Sequence, residues 1–222
     1  MKVDPKSIRS FKNSAAFEAW LEKNHDRERE IFLRIYKKGS GVPSVTNDEA
    51  IDAALCWGWI DAIRKAYDEE SFLQRFTPRG PKSRWSEINR ARVERLTNAG
   101  RMTPHGQRHV DAAKADGRWD AAYAPPSKME VPEDLQRAIE AEPKALATFR
   151  TLNRQNLFSL AYRMHHLKTA AGRAKRISAF VAQLKRGDMP YPTPAPKSEV
   201  GKSKAGKKKA TKPTAKKRAA RA

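Results

Sequence analysis

Residues 55–96 read LCWGWIDAIRKAYDEESFLQRFTPRGPKSRWSEINRARVERL, and their periodicity decides the fold. From Trp59 to Tyr67 the chain alternates, with Trp59, Asp61, Ile63, Lys65 and Tyr67 on one side, the period of a strand. Asp68-Glu69-Glu70 makes a turn. Ser71 to Thr77 returns as a second strand, with Phe72 and Phe76 on one face and Leu73, Arg75 and Thr77 on the other. The two runs predict an antiparallel hairpin. Pro78 to Lys82, PRGPK, must be irregular, because proline lacks an amide and glycine is permissive. A helix is predicted from near Ser83 to Ala99, closed by Gly100. At about 100° per residue, Trp85, Asn89, Arg92, Val93 and Leu96 share one face, with Ile88 at its edge. Asn89 and Arg92 then point where the apolar residues point. Buried polar groups need partners, so these two are expected to meet the hairpin or a ligand.

Upstream, residues 1–12 read as a lead-in. Asn13 or Ser14 can cap a helix that ends near Asn24 and places Phe17, Trp20 and Leu21 on one face. Ile31, Leu33 and Ile35 alternate with Phe32, Arg34 and Tyr36, a strand expected beside the hairpin. Lys37 to Ser44 is a loop. Thr46-Asn47-Asp48-Glu49 is a capping box. Its helix carries Ile51, Ala54 and Leu55 and stops at Gly58. Downstream, Thr103-Pro104 starts a helix that ends before Gly117. Residues 132–187 read as helices only, with stripes at Leu157, Leu160, Ala161, Met164 and at Ile177, Phe180, Val181, Leu184. The expected division is an α+β domain over 1–122, a Pro-rich linker over 123–132, a helical unit over 133–190 and a disordered tail over 191–222. The fold class is therefore α+β: a small antiparallel β-sheet packed with helices, then a helical C-terminal unit and a basic tail.

The net charge is +21 over 222 residues, with 39% hydrophobic and 32% charged residues. Residues 193–222 hold nine Lys and two Arg against one Glu, so +10 sits there and +11 on the rest. Such an excess favours polyanions: nucleic acid, anionic lipid headgroups or acidic metabolites. One cysteine, Cys56, excludes an internal disulfide and fits a reducing compartment. The N-terminus has no signal-peptide core, and no run approaches the roughly 18 apolar residues of a spanning helix. A cytoplasmic protein without a transmembrane segment is expected.

Two readings of the polar residues compete. In the first, Arg75, Arg79 and Arg92 fork onto a small anion, with Trp59, Asp61, Thr77, Ser83, Trp85, Ser86 and Asn89 completing the pocket. In the second they brace the core: Ser83 or Ser86 caps the helix and Asp61 pairs with an arginine. Catalysis finds little support. Asp61 and Glu87 are candidate acid/base groups and Ser86 a nominal nucleophile, but His25, His105, His109, His165 and His166 are scattered in the sequence. Cys56 reads as a buried inert thiol, and neither a cofactor nor a metal site is expected. In the tail, Lys202, Lys204, Lys207, Lys208, Lys209, Lys212, Lys216, Lys217 and Arg218 suit DNA or RNA bound through phosphates without base reading. An anionic membrane surface is a further reading of the same charges.

Three motif groups carry a resemblance: Ala54-Leu55-Cys56-Trp57-Gly58-Trp59-Ile60-Asp61, Arg75-Phe76-Thr77-Pro78-Arg79, and Ser83-Arg84-Trp85-Ser86 with Asn89. Val93-Glu94-Arg95-Leu96, Gly100-Arg101-Met102-Thr103 and Ala113-Lys114 with Gly117 and Trp119 continue it. With these the chain resembles the YdeI/OmpD-associated, or bacteriocin-protection, family over roughly residues 11–190. The family tends to an Ala-Lys element and a Thr-Arg pair before its last helix, where this chain has His165-His166-Leu167-Lys168 and Thr169-Ala170-Ala171-Gly172-Arg173. The resemblance implies a small bacterial protein of stress or bacteriocin tolerance, non-enzymatic in the first reading, with no catalytic set attached. The alternative is a small-anion-binding protein or hydrolytic enzyme built on Asp61, Arg79, Ser86 and Asn89.

Overall fold

The hairpin forms from β3 (Trp59–Ala66) and β4 (Ser71–Pro78), paired antiparallel in a computed structural model that describes residues 3–191. Its turn is held by the Asp68 carboxylate, which accepts from the Ser71 amide at 2.7 Å and the Glu70 amide at 3.1 Å. On the other side of β4 lies β2 (Ile31–Tyr36), also antiparallel. The sheet is not antiparallel throughout. β1 (Ile8–Arg9) comes out of the expected lead-in and pairs parallel with β2, Ile8 opposite Phe32 and Arg9 opposite Leu33, giving the order β1-β2-β4-β3.

Within β3 the expected alternation fails after Asp61. Asp61 stands opposite Phe76 and Arg64 opposite Gln74, so Ala62 and Ile63 together face the single residue Arg75. One extra residue makes a bulge and turns the following side chains to the other face. Ile63 is 53% exposed, and the whole run from Ala62 to Ala66 is exposed, so this end of β3 extends beyond the core that buries Trp59.

Two helices cover the sheet. α1 (Ser14–Asn24) starts where the Asn13 side chain accepts from the Ala16 amide at 2.9 Å. α2 (Asn47–Cys56) starts on the complete Thr46/Glu49 capping box. Phe17 and Leu21 from α1, Ala50, Ala53 and Ala54 from α2, and Ile31, Leu33, Trp59 and Phe76 from the sheet form one buried cluster. Gly58 ends α2 at φ +74°, a conformation that glycine adopts at no steric cost.

The next helix begins later than its sequence suggests. α3 (Glu87–Asn98) is capped by Ser86, whose hydroxyl accepts from the Asn89 amide at 3.1 Å. Trp85 therefore precedes the helix. The cause is Tyr123: its amide donates to the Trp85 carbonyl at 3.1 Å and its carbonyl accepts from Glu87 at 3.0 Å, which holds residues 85–86 extended. α4 (Pro104–Ala115) then docks on the end of α2, where the Cys56 carbonyl accepts from both the Thr103 amide (3.2 Å) and hydroxyl (2.6 Å). Leu55, Cys56, Trp85, Val93, Leu96, Val110 and Trp119 make a second buried cluster.

After Tyr123 come α5 (Glu133–Glu140), α6 (Pro143–Phe149), α7 (Arg154–His165) and α8 (Ala170–Lys185). Their stripes make a third cluster containing Leu135, Ile139, Leu160, Met164, Phe180 and Leu184. Arg173 pairs with Asp134 to tie α8 to α5. The helical unit meets the first part through Tyr123, whose ring packs edge-on against Tyr162 at 4.8 Å, and through Arg154, which donates to the carbonyls of Pro126 and Ser127. Among the described residues, no helix is long and apolar enough to cross a membrane. The tail residues singled out above lie outside the described residues.

Gly106 allows α4 to approach α2 closely. A Cβ built there would lie 2.3 Å from the Cys56 carbonyl oxygen and 2.7 Å from that of Leu55. Gly106→Ala is expected to destabilise the protein by about 1–3 kcal/mol, the usual cost of overpacking, read as a lower urea midpoint.

Candidate functional site

Arg79 leaves β4 into the interior and is only 5% exposed. Its amide donates to the Gly58 carbonyl at 2.9 Å, and Nη1 donates to the Arg84 carbonyl at 3.2 Å. The guanidinium lies 3.6 Å from the centre of the Trp85 ring, a close cation–π contact. Nε and Nη2 are buried without a hydrogen-bond partner among the described residues. Burial pushes the Arg79 pKa down to about 10, with nearby Asp61 acting in the opposite direction. The residue that sequence placed in an anion pocket thus clamps the end of the hairpin to the segment before α3.

Arg92 also finds a different partner from the one expected. It points to α2, not to the hairpin: Nη1 bonds Asp52 at 2.9 Å and Nη2 bonds Asp48 at 2.6 Å, while Arg95 reaches the other Asp52 oxygen at 2.6 Å. The cause is α2's own register. Asp48 and Asp52, four residues apart, share one face of that helix and offer it to α3. Burial works against the charge of Arg92, but the Asp48 and Asp52 carboxylates outweigh it and hold its pKa above the ordinary value.

The remaining predicted residues divide between structure and a shallow cleft. Arg75 pairs with Glu30 at 2.7 Å, and Thr77 stands opposite Ile60 in the hairpin. The Ser83 hydroxyl accepts from the Gly80 amide at 3.0 Å and closes the PRGPK turn. Trp59 is buried, its indole donating to the His25 carbonyl at 3.1 Å. Trp85 is buried against Trp119. Asp61, Ser86, Asn89 and Arg92 do come together, lining a cleft of ≈ 310 Å³ with Tyr123 and Phe158. Burial raises the Asp61 carboxyl above its usual range, opposed by Arg79, Arg92 and Arg64. Burial also raises the Tyr123 phenol, with the Ser86 hydroxyl beside it acting the other way.

The Ser86 hydroxyl caps α3, and Asp61 is the carboxylate that lines the same cleft; no histidine is among its described lining residues. The Cys56 thiol is pushed up to about 11 by burial, which leaves it a poor nucleophile. The histidines, however, are less scattered in space than in sequence. His25 and His105 pack edge-on with ring centres 4.0 Å apart beside Trp57, and the ring centres of His165 and His166 lie 4.7 Å apart. Among the described residues no three His, Cys, Asp or Glu side chains are grouped to hold a metal ion.

Sequence reasoning missed the seam between the two parts of the chain. Lys82, Arg84, Arg118, His166 and Lys168 line a second cleft there, with Trp85 as part of its wall. The lysines and arginines come from loops with no shared period, so no pattern announced their meeting. The one visible signal is the dense run PRGPKSR at 78–84, whose Arg79 and Ser83 are assigned to the anion pocket in the sequence reading while Lys82 and Arg84 are given no binding role.

By fold and site the protein belongs to the class of small α+β proteins extended by a helical unit, with arginines used as internal braces. Residues 9–109 match the model of a Domain of unknown function (DUF8412). Residues 128–187, within the linker and helical unit, match the model of the family described as Bacteriocin-protection, YdeI or OmpD-Associated, which supports the resemblance read from the sequence. The family match falls on the helices whose His165–Arg173 element departed from the expected pattern. Most of the motif series from Ala54 lies instead in the domain of unknown function. No curated protein and no solved structure matches the chain.

If Arg92 and Asp52 act as a brace, Arg92→Ala and Asp52→Ala each lose about 1–3 kcal/mol of stability. The double variant loses less than the sum, with a coupling of about 1 kcal/mol in a denaturation cycle. A second expectation concerns pH. Burial, with Arg84 and His165 adding to it, lowers the His166 pKa from 6.5 to about 4. Between those two values the unfolded chain binds the proton and the folded chain does not. His166 therefore costs stability as pH falls from 6.5 towards 4, and a His166→Gln variant is expected to lose less stability over that window than the parent.

Proposed function

We propose that this is a non-enzymatic, bacteriocin-protection-type protein of the cytoplasm whose basic surface and C-terminal tail engage a polyanion, with nucleic acid the best-fitting class. The observation that carries this reading is the charge: +21 in all, with +10 in residues 193–222. Lys and Arg interspersed with Ala, Gly, Thr and Pro neutralise phosphates and release counterions without reading bases. The tail has no aromatic residue to stack on a base. The fate of the internal arginines supports the same reading, since Arg75, Arg79 and Arg92 are committed to carboxylates, carbonyls or a tryptophan ring.

A second reading is favoured by one observation. The cleft of Asp61, Asn89 and Tyr123 has apolar walls at Ile51, Ile88 and Phe158, the composition of a small-ligand site. Binding is the better account of it than hydrolysis, because the Ser86 hydroxyl is taken up in capping α3.

The test is duplex DNA binding measured across a salt series. The full chain should show a steep loss of affinity with salt, at about 0.9 logarithmic units per phosphate neutralised. Removing residues 193–222 should flatten that slope and weaken binding. Equal binding by the shortened chain would count against the tail as the binding element.

A further inference from the structure

The seam between the α+β part and the helical unit gathers cations from three separate loops. Lys82 and Arg84 come from the segment between β4 and α3, Arg118 from the turn after α4, and Lys168 from the connection between α7 and α8. Together they line a cleft of ≈ 380 Å³. The single carboxylate among its lining residues, Asp116, is already held by Arg118, whose Nε reaches both of its oxygens at 2.8 and 2.7 Å. Lys82 and Lys168 are exposed and make no side-chain hydrogen bond or ion pair among the described residues, and Arg84 only overlies the Tyr162 ring at 5.4 Å. Two buried nitrogens of lining residues are likewise uncommitted: the indole N–H of Trp85, a residue 2% exposed, and Nε2 of His166 have no hydrogen-bond partner among the described residues.

We propose that this cleft binds a phosphoryl dianion, as free phosphate or as a phosphate monoester, with Arg84 and Lys168 reaching it from opposite sides of the seam. The chemistry of the lining argues for that class. It offers donors in excess and almost no free acceptor, which suits a tetrahedral oxyanion with several lone pairs and disfavours a neutral sugar or a cation. Unpaired cations held near one another repel, and a dianion relieves that repulsion more fully than a single carboxylate does. The cleft is of a size for a phosphoryl group on a small organic substituent, and is concave where a nucleic-acid stripe is extended. The low proton affinity of His166 fits a site crowded with positive charge, since Arg84 contributes to it. The site draws on none of the residues 193–222, so it stands or falls apart from the tail.

The experiment is calorimetric titration of the full chain at constant ionic strength, with inorganic phosphate in one arm and phenyl phosphate in the other. The parent protein should bind at least one probe saturably; the tighter arm tells free phosphate from a monoester. Arg84→Ala/Lys168→Ala should weaken binding by about tenfold or more, as expected for lost charge-assisted contacts. Lys144→Ala/Lys175→Ala removes the same charge at exposed positions away from the cleft and should leave affinity within about twofold. In the parent, the His166 ring resonance should titrate at higher pH once phosphate is bound. No saturable binding of either probe overturns the proposal. So does an equal loss in both double variants, or a His166 titration unmoved at saturating phosphate.

Discussion

Burying one guanidinium at the exit of β4 is the constraint on which the rest of the α+β part depends. A charge that is 95% shielded must be compensated where it stands, because desolvation is costly. Arg79 meets part of that cost with the Trp85 ring, the Arg84 carbonyl and the nearby Asp61 carboxyl, while its Nε and Nη2 find no partner among the described residues. Arg84 and Trp85 are consecutive in the segment before α3, and Asp61 lies on β3. Satisfying the charge therefore fixes the hairpin end, the PRGPK turn and the start of α3 with respect to one another. The Ser86–Tyr123 bridge then adds the segment leading into the helical unit.

Much of this was legible in the residues. Turn chemistry and caps are local, so Asn13, the Thr46/Glu49 box, Gly58 and Thr103-Pro104 each mark an element boundary the fold honours. The hairpin and the helical stripes follow from periods of two and 3.6. What failed was non-local. The start of α3 is set by Tyr123, a residue some 36 positions after Glu87, and no local signal carries that. The bulge at Ala62-Ile63 leaves no mark in composition. The parallel edge strand β1 is only two residues long, too short for any pattern.

The candidate site shows the same division. Its residues read in the sequence as polar groups facing inward, either around a ligand or as braces of the core. Arg92 resolves towards bracing, because the carboxylates of α2 face it; sequence spacing alone did not say that Asp48 and Asp52 would be its neighbours. While Arg75, Arg79 and Arg92 are taken up internally, Lys82 and Lys168 at the seam are exposed and make no side-chain hydrogen bond or ion pair among the described residues. A carboxylate-paired arginine and a solvent-facing one look alike in a sequence, and only burial separates their roles. The residues that match the YdeI/OmpD-associated model lie on one side of that seam and those that match the domain of unknown function on the other.

The central claim is that Arg79 is a shielded internal clamp while Arg84, five residues on, faces solvent. Exchange of their Nε protons with water, followed by NMR on the native protein, tests it most directly. The account requires the Arg79 proton to exchange far more slowly than that of Arg84, released only when the hairpin end opens. Fast exchange at both, indistinguishable from free arginine, would contradict it and return Arg79 to the surface.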